Sequence, residues 1–439
     1  MRWRPQPASN GMKTEVKKLP RGQAEITIEL TAEEYEPFLK QAAEQISLTT
    51  KIPGFRPGKA DLGVVKKYVG EGEIWQQAVE PAVQKTFVRV VTEQNLLTVG
   101  SPKIEVIKLA PGNPVIYKAT VNLLPAVKLT DYSKIKVKKN SVTVPDKEIQ
   151  SRLSDLQKMR AKETLADRPA VKGDKIEIDF ETFLDKVPID HGRQKQFPLV
   201  IGENTFIPGF EDQLIGLKKD ETKKFQLKFP GSYHQKNLAG RLCDFQVKVN
   251  AIYQLDLPQL NDEFAQSLGD FKTLKDIEDK IKEELQTTKE NKENQRLEEE
   301  IFDKIISQSS FSDIPDILID SETKKMLQEL EHNLGHQGLK FDDYLNHLKK
   351  TKEELALEFS PQAVKRVKSA LVLRTVIEKN KINVSQDEIE AEIKKMLEFS
   401  GGDAQMAKEL RQAEYLDYLH NTLISKKAVE HLKQVMAQS

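Results

Sequence analysis

The chain has 439 residues, enough for about two to four domains, and is 38% hydrophobic and 31% charged. Its 68 basic residues balance 68 acidic ones, so no global attraction to a polyanion exists and any nucleic-acid contact has to be local. A single cysteine, Cys243, excludes an intrachain disulfide and a multi-cysteine metal centre, and fits a reducing, cytoplasmic compartment. No apolar run approaches the ~18–20 residues of a membrane span.

Met1 to Gly11 reads as an unstructured leader without the apolar core of a secretory signal, which makes Met12 a candidate start. Ala24, Ile26, Ile28 and Leu30 then alternate with polar residues, the pattern of a half-buried strand. Thr31 and Glu34 form a capping-box pair ahead of Tyr35, Phe38, Leu39, Ala42, Ala43 and Ile46 at helical spacing. Pro37 interrupts this pattern, so the helix either begins there or bends. It ends near Thr50.

The next stretch, Lys51 to Lys59, holds two glycines and two prolines and is a loop of restricted shape. Phe55, Arg56 and Lys59 crowd its tip. One reading is an ordinary surface turn with Phe55 tucked onto its own domain. The other is a docking tip for an anionic partner with an apolar crevice. Lys51, Arg56, Lys59, Lys66 and Lys67 surround the loop against one nearby acid, Asp61, a local field that suits RNA. Two further helices follow, one over Leu62 to Val69 and one from Trp75 to Val91. Val115, Tyr117, Ala119, Val121 and Leu123 then alternate as a strand. These elements make an α+β domain over residues 12–129.

Gly54-Phe55-Arg56-Pro57-Gly58-Lys59 resembles the ribosome-docking signature of the trigger factor family, the bacterial ribosome-associated chaperones. The family commonly has proline where this chain has Asp61, and the acid is expected to weaken docking slightly without touching the tip.

Residues 130–162 read as a connecting arm rather than a core, with a short strand at Ile135 and Val137. A helix follows, with Ile149, Leu153, Leu156 and Met159 on one face. Over residues 163–257, Gly and Pro punctuate alternating strands: Ile176 to Phe180, Phe225 to Phe229, and Cys243 to Ala251, where Cys243 packs inward as a small hydrophobe. Between them, Ile207-Pro-Gly-Phe210-Glu211 opens a turn into an expected short amphipathic helix. From the residues alone, the aromatics here are either plain core or the walls of a pocket.

This region is similar to the FKBP-like peptidyl-prolyl isomerase domain, through Ile207 to Glu211, through Phe229-Pro230 with Tyr233-His234, and through Ile176 to Phe180. The resemblance implies a proline pocket lined by Phe180, Ile189, Phe197, Phe206, Ile207, Phe210, Tyr233 and Phe245, with Asp190 at the family's acidic position. Ile189 replaces an aromatic wall and Thr182 an expected glycine, which points to reduced isomerase strength. Isomerisation by such a site needs neither a nucleophile nor a metal. A dry aromatic pocket favours the twisted amide, and a donor such as the Tyr233 hydroxyl orients the carbonyl.

From 258 to 439 helix formers dominate. Thr273 to Ser307 reads as a long helix or hairpin arm with a thin apolar stripe that vanishes from Gln286 to Arg296, as in a solvent-projecting portion. Ile314-Pro-Asp-Ile-Leu-Ile-Asp-Ser-Glu322 resembles the corresponding trigger factor segment. Ser385 and Glu388 form a second capping box. Met326, Met396, Met406 and Met436 are either adaptable substrate contacts or helical core. His332 and His336 stand four apart, as metal ligands can, but no third ligand accompanies them and Gly335 weakens the helix. No metal and no cofactor are expected.

Together the motifs imply an N-terminal α+β ribosome-binding domain, an FKBP-like antiparallel sheet with a short helix, and a helical C-terminal chaperone domain. The implied protein is an ATP-independent chaperone. It would meet nascent and unfolded polypeptides at the tunnel exit of the large ribosomal subunit, against ribosomal protein and rRNA, and would isomerise X-Pro bonds. The family's roles in protein export and cell division come with that resemblance. No membrane contact is expected, and homodimer formation is left open. Two rivals stand beside this reading: a pure holdase with a degenerate isomerase domain, and a free isomerase that ignores ribosomes.

Overall fold

The computed structural model of the chain describes residues 12–233, 235–399, 401 and 404–438, with the side chains of Asp190, His191 and Ala404 outside the description. The expected leader, the Asp190 carboxylate and His234 therefore lie outside the described residues. The chain gathers into two units, residues 1–139 with 295–439, and residues 140–294.

The first unit begins with β1 (Lys13–Leu19) and β2 (Gln23–Leu30), which pair antiparallel across a turn at Arg21 and Gly22. Ala24, Ile26, Ile28 and Leu30 are buried, as their alternation demands. Strand β1 escapes a pattern reading because every second residue, buried or not, is flanked by lysine or glutamate. Helices α1 (Ala32–Thr49), α2 (Leu62–Val69) and α3 (Glu71–Glu93) follow, then β3 (Thr98–Lys108) and β4 (Val115–Leu123). The sheet runs β1-β2-β4-β3 and shares one core with α1 and α3. Helix α1 starts at Ala32 rather than at Pro37, because the Thr31–Glu34 capping box forms in both directions. The fully buried Tyr35 donates its hydroxyl to the Trp75 carbonyl at 2.8 Å and ties α1 to α3.

Two short strands come next, β5 (Val127–Lys128) and β6 (Val137–Lys138). The second unit contains α4 (Asp146–Met159), β7 (Lys162–Leu165), β8 (Lys175–Leu184), β9 (Val187–Val200), β10 (Thr222–Lys228), β11 (Leu242–Asp256) and α5 (Asp262–Leu268). It also takes the first part of α6 (Leu274–Gln308). Its antiparallel sheet runs β10-β11-β8-β9, with β7 paired to the end of β11. The short helix expected after Ile207 is only a 3₁₀ turn, Glu211–Leu214. Gly209 and Gly216, both at positive φ, bracket it and leave room for one turn.

Helix α6 is a single helix of 35 residues, not a hairpin. Its polar middle does not project into solvent as expected. The Lys289 ammonium donates to the Thr143 carbonyl and to Glu148, and the Glu293 carboxylate accepts from the backbone and side-chain nitrogens of Asn140. The apolar stripe lapses there because the irregular segment before α4 offers backbone groups that only polar side chains can satisfy.

The first unit resumes with β12 (Ser310–Phe311), which pairs with β5. Helices α7 (Asp316–His336), α8 (Phe341–Leu348), α9 (Lys352–Asn380), α10 (Gln386–Phe399), α11 (Ala404–Glu409) and α12 (Ala413–Met436) follow, and β13 (Ala437–Gln438) closes beside β6. The stretch read as a connecting arm is divided between two cores. Tyr132, Ile135 and Val137 pack with Leu297, Ile301, Val372 and Leu432, while Ile149 and Leu153 pack with Ala265, Ile277 and Ile281. The Ile314-Pro-Asp segment starts α7 against the β1–β2 turn. Arg21 pairs with Asp316 at 3.0 Å, and a Cβ at Gly22 would collide with the Asp313 carbonyl. The methionines divide as well: Met326 and Met436 are core, whereas Met396 and Met406 are exposed.

Candidate functional site

The loop between α1 and α2 is pinned at both ends by buried apolar residues, Ile52 and Ala60, and offers everything between them to solvent. Two consecutive turns shape it, Phe55 N–H donating to the Ile52 carbonyl and Lys59 N–H to the Arg56 carbonyl. Gly58 N–H reaches back to the Ser47 carbonyl at 3.0 Å and ties the loop to the end of α1. Gly54 and Gly58 stand at φ +85° and +75°, where a side chain is strained. Pro57 is the second residue of the second turn, where its fixed φ fits, and Phe55 is 45% exposed, with Arg56 and Lys59 beside it. A tucked Phe55 is therefore not what the chain adopts. The half-exposed Leu48 lies against Gly58 and adds apolar surface that the sequence reading missed.

Two charges around the loop are already engaged. The Asp61 carboxylate accepts from Val64 N–H at 2.8 Å and N-caps α2. Proline, the residue that the resemblance anticipates there, would have offered no such acceptor. Lys66 pairs with Glu71 at 2.7 Å, so the basic cluster is balanced by more than the single acid counted from the sequence.

In the second unit the structure brings together the aromatic residues singled out from the sequence. Phe210 and Phe245 are fully buried and form a floor. Phe180, Phe197, Phe206, Ile207 and Tyr233 are half-buried around it. Phe206 stacks flat on Phe210, ring centres 4.2 Å apart, while Phe180 meets Phe197 and Phe206 edge-on at 5.8 and 5.3 Å. Phe225, read from the sequence only as a strand residue, and Phe229, read as strand and motif but not as a pocket residue, complete the floor: both stack on Phe245, and Tyr233 sits edge-on to Phe229 at 4.7 Å. Ile189 packs against the same cluster. It lies so close to Gly192 that no Cβ would fit there.

Two carboxylates hold these walls in place, and neither was given a role from the sequence. Glu211, 5% exposed, accepts from the backbone N–H groups of Gly202, Asn204, Thr205 and Phe206, and so shapes the loop that carries Phe206 and Ile207. Burial pushes its carboxyl up, but the four backbone donors outweigh that and hold it below the ordinary carboxylate range. Asp179 accepts from Gln196 N–H at 2.8 Å and from the Asn250 amide at 2.6 Å. These bonds hold its carboxyl below the ordinary range as well, and they fix the bulge, with Gln196 at φ +50°, that aims Phe197 inward. Such spacing is invisible to a pattern reading, because each carboxylate serves backbone atoms brought close only by the fold.

His332 and His336 do meet on one face of α7, but among the described residues no group of three or more potential metal ligands forms. No helix among them is long and apolar enough to cross a membrane.

Residues 12–156 match the family model for bacterial trigger factor protein, 166–257 that for FKBP-type peptidyl-prolyl cis-trans isomerase, and 273–434 that for the trigger factor C-terminus. The chain is 31% identical to a trigger factor of Caldicellulosiruptor bescii, over 96% of both chains. It is 34% identical to that of Agathobacter rectalis, over 91% of this chain and 90% of the other. A solved structure described as "Promiscuous Substrate Recognition in Folding and Assembly Activities of the Trigger Factor Chaperone" matches 96% of this chain at 20% identity, with a TM-score of 0.49.

Proposed function

The chain belongs to the bacterial trigger factor family, and from that premise we propose which of its residues carry the family's two activities. It is a ribosome-associated chaperone with an FKBP-type peptidyl-prolyl isomerase domain. In our reading, docking on the large subunit near the tunnel exit rests on the loop Gly54-Phe55-Arg56-Pro57-Gly58-Lys59. Phe55 would enter an apolar crevice of a ribosomal protein, while Arg56 and Lys59 meet rRNA phosphates. The observation that carries this is the rigid loop itself, tied down by Ile52, Ala60 and the Gly58–Ser47 bond, with its aromatic and cationic tip turned out.

Isomerisation would take place over the Phe210–Phe245 floor. A prolyl ring set among Phe180, Phe197, Phe206 and Ile207 leaves its amide in an apolar surrounding, where the charge-separated planar form is disfavoured. Only rotation about the C–N bond follows, with no bond made or broken. Tyr233 would orient the carbonyl from the rim. The functional division we adopt is 12–129 for docking, 163–257 for isomerisation and 258–439 for substrate, with a cytoplasmic site of action.

Co-sedimentation with vacant ribosomes tests the docking claim. Wild-type protein should pellet at low salt, and Phe55→Ala/Arg56→Ala/Lys59→Ala should stay in the supernatant. Equal pelleting of both would move the dock elsewhere. Failure of both to pellet would return the chain to a free isomerase or holdase.

A further inference from the structure

We propose that His332 and His336, in the last turn of α7, form a two-ligand surface site for a late first-row divalent cation, Ni²⁺ or Cu²⁺. Residues four apart stack on one helix face. Here the two Nε2 atoms stand 2.9 Å apart, with ring centres at 4.3 Å and ring planes at 86°. Two nitrogens about 2.05 Å from one ion are about 2.9 Å apart at right angles and about 3.3 Å apart across a tetrahedron. The observed separation, that of an N–H···N hydrogen bond, also equals that of neighbouring positions on a square or octahedral ion, the geometry Cu²⁺ and Ni²⁺ prefer.

Both side chains are exposed, so an ion arrives from solvent and keeps water on its remaining positions. Glu329, one turn back, is bound by Arg366 at 2.9 Å. The site is therefore an open, exchangeable one rather than a closed structural centre. In the metal-free chain the two Nε2 atoms are at hydrogen-bond distance, so modest ring rotations suffice to turn both lone pairs onto one ion. Binding requires that the bridging Nε2 proton move to Nδ1 of its own ring, so that both Nε2 lone pairs can face the ion.

The consequence is local. Gly335 lies between the two ligands and weakens the turn, and the chain leaves the helix at Gln337 and Gly338, the latter at φ +73°. A chelate from His332 to His336 spans the glycine and holds the turn closed, so binding energy becomes helix stability.

Tag-free full-length protein titrated calorimetrically with Ni²⁺ tests this, with His332→Ala and His336→Ala beside it and amide exchange followed over residues 334–338. One ion should bind at this site in the wild type, at least about tenfold more tightly than in either variant. Exchange in the turn should slow with Ni²⁺ and recover with a chelator. Undiminished affinity in either variant, no binding up to about 1 mM, or exchange unaltered by the ion would each overturn the proposal.

Discussion

At the scale of single residues, the isomerase domain depends on side chains that serve its own backbone. Glu211 is the clearest. Replacing it by glutamine keeps the shape but removes the charge that four backbone donors share, and a buried N–H without an acceptor is costly. Glu211→Gln should lower stability by about 2–3 kcal/mol, measured by urea denaturation, and should lower isomerase activity by loosening Phe206 and Ile207. The pH dependence has a definite sign. Glu211 ionises below its ordinary value of 4.5 in the folded chain, so its contribution is complete above that pH and is lost as pH falls through the folded value. The gap in melting temperature between wild type and Glu211→Gln should therefore be widest near neutrality and close in acid. Glycine acts as strictly at the dock. Gly58→Ala adds a methyl group at positive φ against Leu48, and should weaken ribosome pelleting and destabilise the domain by about 1–2 kcal/mol.

At the scale of elements, capping and polar pairing decide where helices begin and what they lie against. Thr31→Ala removes one half of a closed capping box and should destabilise the N-terminal domain by about 1 kcal/mol. Helix α6 shows the limit of reading amphipathicity. Its apolar stripe marks contacts at both ends, but the interval between them is also in contact, through Lys289 and Glu293. Glu293→Ala strips the Asn140 backbone N–H and side-chain amide of their acceptor. The expected cost is about 1–3 kcal/mol, with faster amide exchange at Asn140. Unchanged exchange there would show that water substitutes freely and that the polar stripe is a solvated face after all.

At the scale of the whole molecule, the proposed docking loop and the proposed proline pocket sit in separate units with separate cores. The two activities should therefore be separable by substitution. Phe55→Ala/Arg56→Ala/Lys59→Ala should abolish ribosome pelleting and leave prolyl isomerisation of a peptide at the wild-type rate. Tyr233→Ala should do the reverse. Loss of both activities in either protein, with folding intact by circular dichroism, would mean that the units are energetically coupled.

The sequence by itself determined the parts whose signal is local. A capping box, the alternation of β2, β4, β8 and β11, and the punctuation of the docking loop by two glycines and two prolines all depend on neighbours within a few positions. The motif resemblance added the family and singled out the aromatic residues, and the fold packs Phe210 and Phe245 into one buried cluster. Tertiary structure alone decided which long-range partners satisfy each polar group. Nothing in the order of residues announces that Glu211 serves four backbone amides, or that Tyr132 and Val137 leave a supposed arm to enter a core. Such roles depend on the requirement that buried donors and acceptors be paired, and the fold chooses the pairs only after apolar periodicity has brought the elements together.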